Sequence, residues 1–472
     1  MKGLKFCVSL MAAVSVTASA VAVTCLADET STVEVDATSG DQDVTVGNVN
    51  VASGDGVDIY ACDGHTATVL VDGSITGSDY GICAEAYDKD STINLTVNGD
   101  VESEDDEAVA LYTDDGANIN VEINGDITCT DEDALYMDNL YGSNISITVN
   151  GDINGDYDGI EAYSEYDSTA DITVNGDVTG GDDWGIYLYS KYGSTLNALI
   201  NGDITSGDTE SAAELLAYDD SSVQVDVDGS ITSISSSPAI YSMADDGDSE
   251  LNVTVTGDLS ASHNAIYAYI YSSTDYIDIL VEGTVSGGEV GVTVSSEGAY
   301  SSDNFTLTAW QIEVNSDGIV ADTRDYNSDP YDPANEATDF EEKINYIVKY
   351  EQPASGGTIS AKLADGSALA QNHGFDTANE TQKIVLSPNL SSGYEITAAY
   401  NGTTALDKDE DGNYYLVVPR GGGILLSVDL KAPVKGSPKT GEDGTLYLVG
   451  AIVLLAGGSV ALLKTRKKEA EA

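Results

Sequence analysis

The chain has 472 residues, with 81 Asp and Glu against 18 Lys and Arg, a formal net charge of −63. Across 28–322 the only basic residues are Lys89 and Lys191, against 60 acidic ones, and a body of that kind repels phosphate backbones and anionic lipid. Nucleic-acid binding is thereby excluded. High net charge also favours disorder, but a hydrophobic fraction of 41% and the strict periodicity described below oppose it. With 28 Tyr and 4 Phe, the aromatic area comes from rings that tolerate water at one end.

Residues 1–27 combine Lys2 and Lys5, an apolar run over 6–23 and a close on Cys25-Leu26-Ala27. The pattern predicts a signal peptide cut after Ala27, with Ala20 or Ala22 as alternatives, and therefore a secreted chain. Cys7 and Cys25 would leave with it. Cys62, Cys83 and Cys129 then remain, an odd number at spacings that match no metal pattern, which predicts unpaired thiols.

From there a single unit is copied. LTVNGDV (95–101), VEINGDI (121–127), ITVNGDI (147–153), ITVNGDV (172–178) and ALINGDI (198–204) align on their glycines. The glycines stand at 73, 99, 125, 151, 176, 202, 229, 257 and 283, with gaps of 25 to 28 residues. Two and four residues before each glycine sit apolar residues, as in Leu95 and Val97 or Ile147 and Val149, with polar residues between. This is the period-two pattern of a strand with one buried face. Asn-Gly is a strong turn signal, and both residues accept positive φ. Two residues past the glycine comes another inward aliphatic, such as Ile127 or Ile204. A further strand begins 7 to 13 residues past it, with inward Val57, Ile82, Val109, Leu135, Ile160, Ile186, Leu215, Ile240, Ile266 or Val292. Short strands at a fixed period without helical pattern predict an all-β chain, a parallel and right-handed β-helix of about eleven ~26-residue coils over 28–323.

Stacking turns sequence columns into ladders. Asp100, Asp126, Asp152, Asp177, Asp203 and Asp258 each follow a turn glycine. Neighbours about 4.8 Å apart repel by roughly 0.9 kcal/mol per pair even in water. The column reads either as a solvated acidic edge or as weak calcium ligation by Asp100, Asp126, Asp152, Asp177 and Asp203, since calcium prefers such oxygen-rich turns. The second ladder is aromatic. Counted from the inward aliphatic, outward positions hold Tyr136, Tyr187, Tyr241 and Tyr267, then Tyr60, Tyr112, Tyr163, Tyr189, Tyr218 and Tyr269. They read as structural stacking, as a platform on which sugar C–H faces pack, or as both.

After a linker at 324–341 the composition changes. KINYIVKY (343–350), TQKIVLSP (381–388), GYEITAAY (393–400), NYYLVVPR (413–420) and GILLSVDL (423–430) predict a small antiparallel, sandwich-like β domain at 342–432. It loosely resembles the wall-proximal modules of sortase-anchored proteins. Residues 433–472 then carry Ser437-Pro438-Lys439-Thr440-Gly441, an apolar run over 446–463 and Lys464, Arg466, Lys467 and Lys468. About 18 apolar residues nearly span a bilayer as a helix, and the basic cluster holds the end in the cytoplasm.

This arrangement resembles the cell-wall sorting signal of Gram-positive surface proteins, in which a sortase cysteine attacks between Thr and Gly of a Leu-Pro-x-Thr-Gly motif. The resemblance implies cleavage between Thr440 and Gly441, membrane anchoring before sorting, and covalent attachment to peptidoglycan afterwards. Ser437 stands where the family has Leu, which leaves the sortase class open.

The β-helix fold also carries pectate lyases and polygalacturonases. Holding uronates needs cations, yet Arg324 is the first Arg of the chain, and His65 and His263 read as surface residues. A glycosidase-like carboxylate pair can be neither chosen nor dismissed among so many acids. No nucleophile elbow, zinc motif or phosphate loop occurs. The expectation is a non-enzymatic, wall-anchored adhesin without a required cofactor, with host or microbial glycans or surface proteins as partners. The alternatives are a calcium-assisted polysaccharide-binding module, for which a faint likeness to β-helix proteins that bind acidic polysaccharide speaks, a polysaccharide-degrading enzyme, and an inert spacer.

Overall fold

The computed structural model describes residues 21–24, 28–296, 304–314, 321–325 and 344–433. A 26-residue unit cannot hide its own apolar face, so the repeats coil and stack on one another. The result is a parallel β-solenoid with three strands per coil. Sheet 1 stacks twelve strands, from Val33–Ala37 through Ile160–Glu165 to Ala321–Asp325. Sheet 2 holds the strands before the turn glycines, such as Thr92–Val97 and Asn144–Val149. Sheet 3 holds the three-residue strands just past them, such as Val101–Ser103 and Ile127–Cys129. Among the described residues about ten coils carry all three strands, with sheets 2 and 3 fused in Tyr276–Gly287. At about 4.8 Å per coil they make a rod roughly 50 Å long.

The inward aliphatics named above are all buried, and Ile127, Leu135, Ile160 and Ile186 lie together in one core. The pairing register is constant from coil to coil, with Val101 beside Ile127 and Val109 beside Leu135. Variation in repeat length falls mainly in the loop from sheet 3 to sheet 1, which has four residues at 156–159 and six at 207–212. Sheet 1 extends through Asp325, so the expected boundary at 323 cuts its last strand.

The reason for Asn-Gly differs from the one expected. Neither Asn98 nor Gly99 has positive φ; left-handed residues gather instead between sheets 1 and 2, at Asp115-Gly116, Tyr141-Gly142 and Tyr192-Gly193. The turn glycines are needed because they stack on one another. A Cβ on Gly202 would stand 2.2 Å from the Gly176 carbonyl oxygen, and one on Gly283 2.2 Å from that of Gly257. The asparagines form an amide ladder: Asn150 Nδ2 donates to Asn124 Oδ1 at 2.8 Å and Asn175 Nδ2 to Asn150 Oδ1 at 2.7 Å. Because backbone lies on both sides of the clash, Gly202→Ala is expected to cost about 1–3 kcal/mol. The check is native-state hydrogen exchange, which should show weakened protection in the coils of Gly176 and Gly202 alone.

Residues 344–433 form a module docked on the end of the rod. Its strand Asn345–Tyr350 continues the solenoid sheet, pairing in parallel with Phe305–Ile312. Trp310 and Gln311 lie in that solenoid strand. Trp310 Nε1 donates to the Ile424 carbonyl at 3.2 Å, and Lys349 Nζ donates to that of Glu282 at 2.7 Å. The other expected strands appear at Lys383–Leu390, Glu395–Asn401, Tyr414–Val417 and Ile424–Lys431. Pairing is antiparallel apart from Val348–Tyr350 against Ile424–Leu426. Gly357–Leu363 and Phe375–Ala378 are additional strands that the sequence pattern did not reveal.

Of the expected signal peptide, Val21–Thr24 is described, and its backbone pairs in parallel with residues 42–45. The rest lies outside the described residues, as do Ser437, Pro438, Lys439, Thr440, Gly441 and the helix expected over 446–463. Among the described residues no helix is long and apolar enough to cross a membrane. Cys62 and Cys129 are free. Cys83, expected to be unpaired, is disulfide-bonded.

Candidate functional site: the outer face of sheet 1

Because strand side chains alternate, every second residue of sheet 1 points away from the core, and in-register stacking aligns these residues into columns. The inner column runs Tyr136, Glu161, Tyr187, Glu214, Tyr241. The middle column runs Asp36, Tyr60, Glu85, Tyr112, Asp138, Tyr163. In both, a ring alternates with a carboxylate from one coil to the next. The sequence reading found the rings and missed this alternation, because it followed the tyrosines alone.

The rings touch. Centroids are 5.6 Å apart for Tyr112–Tyr136, 6.0 Å for Tyr136–Tyr163, 5.7 Å for Tyr163–Tyr189 and 5.3 Å for Tyr189–Tyr218. Tyr187 joins Tyr163 at 5.6 Å and Trp184 at 4.8 Å. Neighbouring planes in this chain are inclined by 39° to 53°, so part of each face stays open. Tyr60 pairs instead with Tyr87, and Tyr241 stacks on Tyr267.

Two expected members sit differently. Tyr269 is only 4% exposed and is buried at its coil. Tyr218 lies one outward position further along than expected, beside Lys191 and not beside Tyr189. Ala213, rather than Leu215, pairs with Ile186, and this shifts the strand by two. Both residues point inward, so the alternation alone could not distinguish them.

The face is half-buried, and its chemistry reflects that. Burial, then Asp55, Glu85 and Glu34, push Asp58 up to about 7. Burial, then Glu165 and Asp114, push Asp138 up to about 6. Tyr163 donates to Glu161 Oε1 at 2.6 Å, and Trp184 Nε1 donates to Glu214 Oε2 at 2.9 Å. Burial and then Glu161 hold the Tyr163 phenol well above its ordinary value.

Asp133, Asp158 and Glu161 bring carboxylate oxygens within 4.8 Å of one another, the sole such acidic trio with metal-ligand spacing among the described residues. They are 7%, 3% and 5% exposed, and Glu161 is itself a member of the inner column. Asp133 Oδ1 accepts the Asp158 N–H at 3.0 Å, and Asp158 Oδ1 the Trp184 N–H at 2.9 Å. Burial, then Asp158 and Glu161, hold the Asp133 carboxyl protonated far above the usual carboxylate range. Sequence reading missed all three, although Asp133 and Asp158 share one repeat position, two residues before Leu135 and Ile160.

The calcium candidates lie elsewhere, on an exposed edge. Asp126 N donates to Asp100 Oδ1 at 3.0 Å, and Asp152, Asp177 and Asp203 each donate to the preceding aspartate at 2.8 Å. Asp203 Oδ1 accepts the Ser230 N–H at 2.7 Å. The column is thus a hydrogen-bonded rail in which each carboxylate satisfies the next coil's amide. This offsets the repulsion between neighbours.

A further aromatic ladder escaped the sequence reading. Tyr141, Tyr166 and Tyr192 stack at 4.5 and 4.7 Å in the turn after sheet 1 and are 50%, 37% and 40% exposed. Its signal was present in LYGS (140–143), EYDS (165–168) and KYGS (191–194), where positive φ sets the rings in line. No family model matches the chain, and no curated protein or solved structure matches it either.

Proposed function

We propose that this protein is a non-enzymatic, cell-wall-anchored surface adhesin that holds a glycan on the outer face of sheet 1. The observation that carries the reading is the unbroken chain of ring contacts from Tyr112 to Tyr218, with inclined, half-open faces beside hydrogen-bonding carboxylates. Aromatic rings offer large area at low entropic cost, and their faces pack against C–H groups while polar neighbours take hydroxyls. A right-handed rod held off the wall by the docked module, the linker and the Ser437–Gly441 sorting motif would present that face to the surroundings, with sortase and peptidoglycan as its anchoring partners. A purely anchoring role for the buried trio fits its amide contacts better than catalysis does.

The test is a glycan-array screen of the secreted chain, run with calcium and again with chelator. Tyr163 touches three other rings, so Tyr163→Ala is expected to weaken binding at least tenfold, and Tyr163→Phe much less. Thermal unfolding of each variant controls for folding. Silence on every glycan under both conditions overturns the proposal, and loss with chelator alone moves the reading to calcium-assisted binding.

A further inference from the structure

The face has already taken in one cation of its own. Lys191 Nζ stands 4.6 Å from the Tyr192 ring centroid, 5.7 Å from that of Tyr218 and 3.8 Å from Asp219 Oδ2. Burial works against its charge, but hydrogen bonds to Tyr192 and Tyr189 outweigh that and hold the ammonium above its usual value. A ring on one side and an acid on the other is how proteins hold organic ammonium groups. Tyr192 and Asp219 belong to the turn after sheet 1, and across 28–322 Lys89 is the only other Lys or Arg, so the columns of the face set rings beside acids with no lysine or arginine between them.

Those surroundings repeat. In the middle column Glu85 stands between Tyr60 and Tyr112, and Asp138 between Tyr112 and Tyr163. In the inner column Glu214 stands between Tyr187 and Tyr241. From Tyr60 to Tyr163 and from Tyr136 to Tyr241 rings therefore recur every second coil, about 9.6 Å apart, with an acid halfway between. The spacing also doubles the distance between like charges within a column, which eases their repulsion.

We propose that this face recognises an amino-sugar polymer, with pyranose faces on the tyrosines and free primary ammonium groups on the acids between them. The inference rests on the glycan reading and narrows it to a charge class. A lysine-rich protein would satisfy the acids but leave the rings with little to do. Its ammonium groups end flexible four-carbon chains, each of which loses rotamer freedom on binding. A sugar ring that carries its amine directly brings both groups at one pitch. The half-buried position of Asp138 and Glu214 strengthens each contact by keeping water and salt at a distance.

The experiment measures binding of the secreted chain to glucosamine oligomers, to their fully N-acetylated counterparts, to neutral glucan oligomers and to polylysine. Glucosamine oligomers are expected to bind at least tenfold more tightly than the acetylated ones, with an advantage that shrinks as salt is added. Asp138→Asn combined with Glu85→Gln should reduce that advantage at least threefold without loss of thermal stability. Raising the pH from 7 to 9 should reduce it too, because the sugar amines lose their protons while the acids stay ionised. Equal binding of acetylated, neutral and free-amine oligomers would overturn the charge inference and leave the glycan reading standing. Binding to polylysine with no glycan bound would overturn both in favour of a cationic protein partner, and no binding to any probe would also overturn both.

Discussion

Replacing Asn139 with Ala is expected to destabilise the rod by about 3 kcal/mol. The side chain is fully buried at the inward end of a sheet 1 strand, where its neighbours above and below are Thr113 and Ser164. Its Oδ1 accepts from Thr113 Oγ1 at 2.7 Å, and its Nδ2 donates to the Thr169 carbonyl at 2.8 Å. Removing the amide leaves a donor and an acceptor desolvated in an apolar core, at about 1–3 kcal/mol each before the cavity is counted. Asn150 makes two amide-ladder contacts, to Asn124 and Asn175, but it is exposed. Asn150→Ala should therefore cost about 1 kcal/mol or less, because water replaces what is lost. Urea unfolding of the two variants, with hydrogen exchange to locate the opening, compares them directly. Equal effects would show that the interior amide is no more than another ladder rung.

Acidification should stabilise this protein, the reverse of ordinary acid denaturation. A carboxyl whose value is raised by folding binds its proton more tightly in the folded state than in the unfolded one. Between the unfolded value near 4 and the raised folded value, stability therefore falls as pH rises, by about 1.4 kcal/mol per pH unit for each such group. For Asp138 the window closes near 6 and for Asp58 near 7, while the buried Asp133 carries it further up. The high overall negative charge acts in the same direction. The melting temperature should rise by several degrees from pH 8 to pH 5 at constant ionic strength. Asp58→Asn should remove its share of the slope below about pH 7 and leave the rest. A melting temperature that falls over the same range would mean that these acids are ionised and favourably paired.

The architecture was legible because a solenoid writes its period into the chain. The glycine spacing set the coil, and the residues at minus two, minus four and plus two from the glycine are core residues in nearly every copy. The face was legible only as composition. The tyrosine columns could be counted, but their phase at Tyr218 depended on whether Ala213 or Leu215 matched Ile186, and both alternate correctly. The glycine's role was misattributed because sequence marks a residue without Cβ and does not say whether φ or a neighbouring backbone demands it. Asp133 and Asp158 stand one period apart, each two residues before the inward aliphatic of its coil, and Glu161 follows that aliphatic, so the register itself stacks them. What the spacing does not record is that these carboxylates are buried while those of the exposed rail are not.

One consequence follows from the direction of the hydrogen bonds that hold coil to coil. They run along the rod, as in every stacked parallel sheet, so tension between the two ends pulls on them lengthwise and a coil at an end is the weakest link. Each coil depends on its neighbours alone, which lets the rod surrender one turn at a time. A released turn of about 26 residues can extend to roughly 90 Å, in exchange for about 4.8 Å of rod. Under tension such a rod lengthens in steps. The module locked to the end of the rod through Trp310 of Phe305–Ile312 and Lys349 on Glu282 of Tyr276–Gly287 protects one end, so yielding would start from the other.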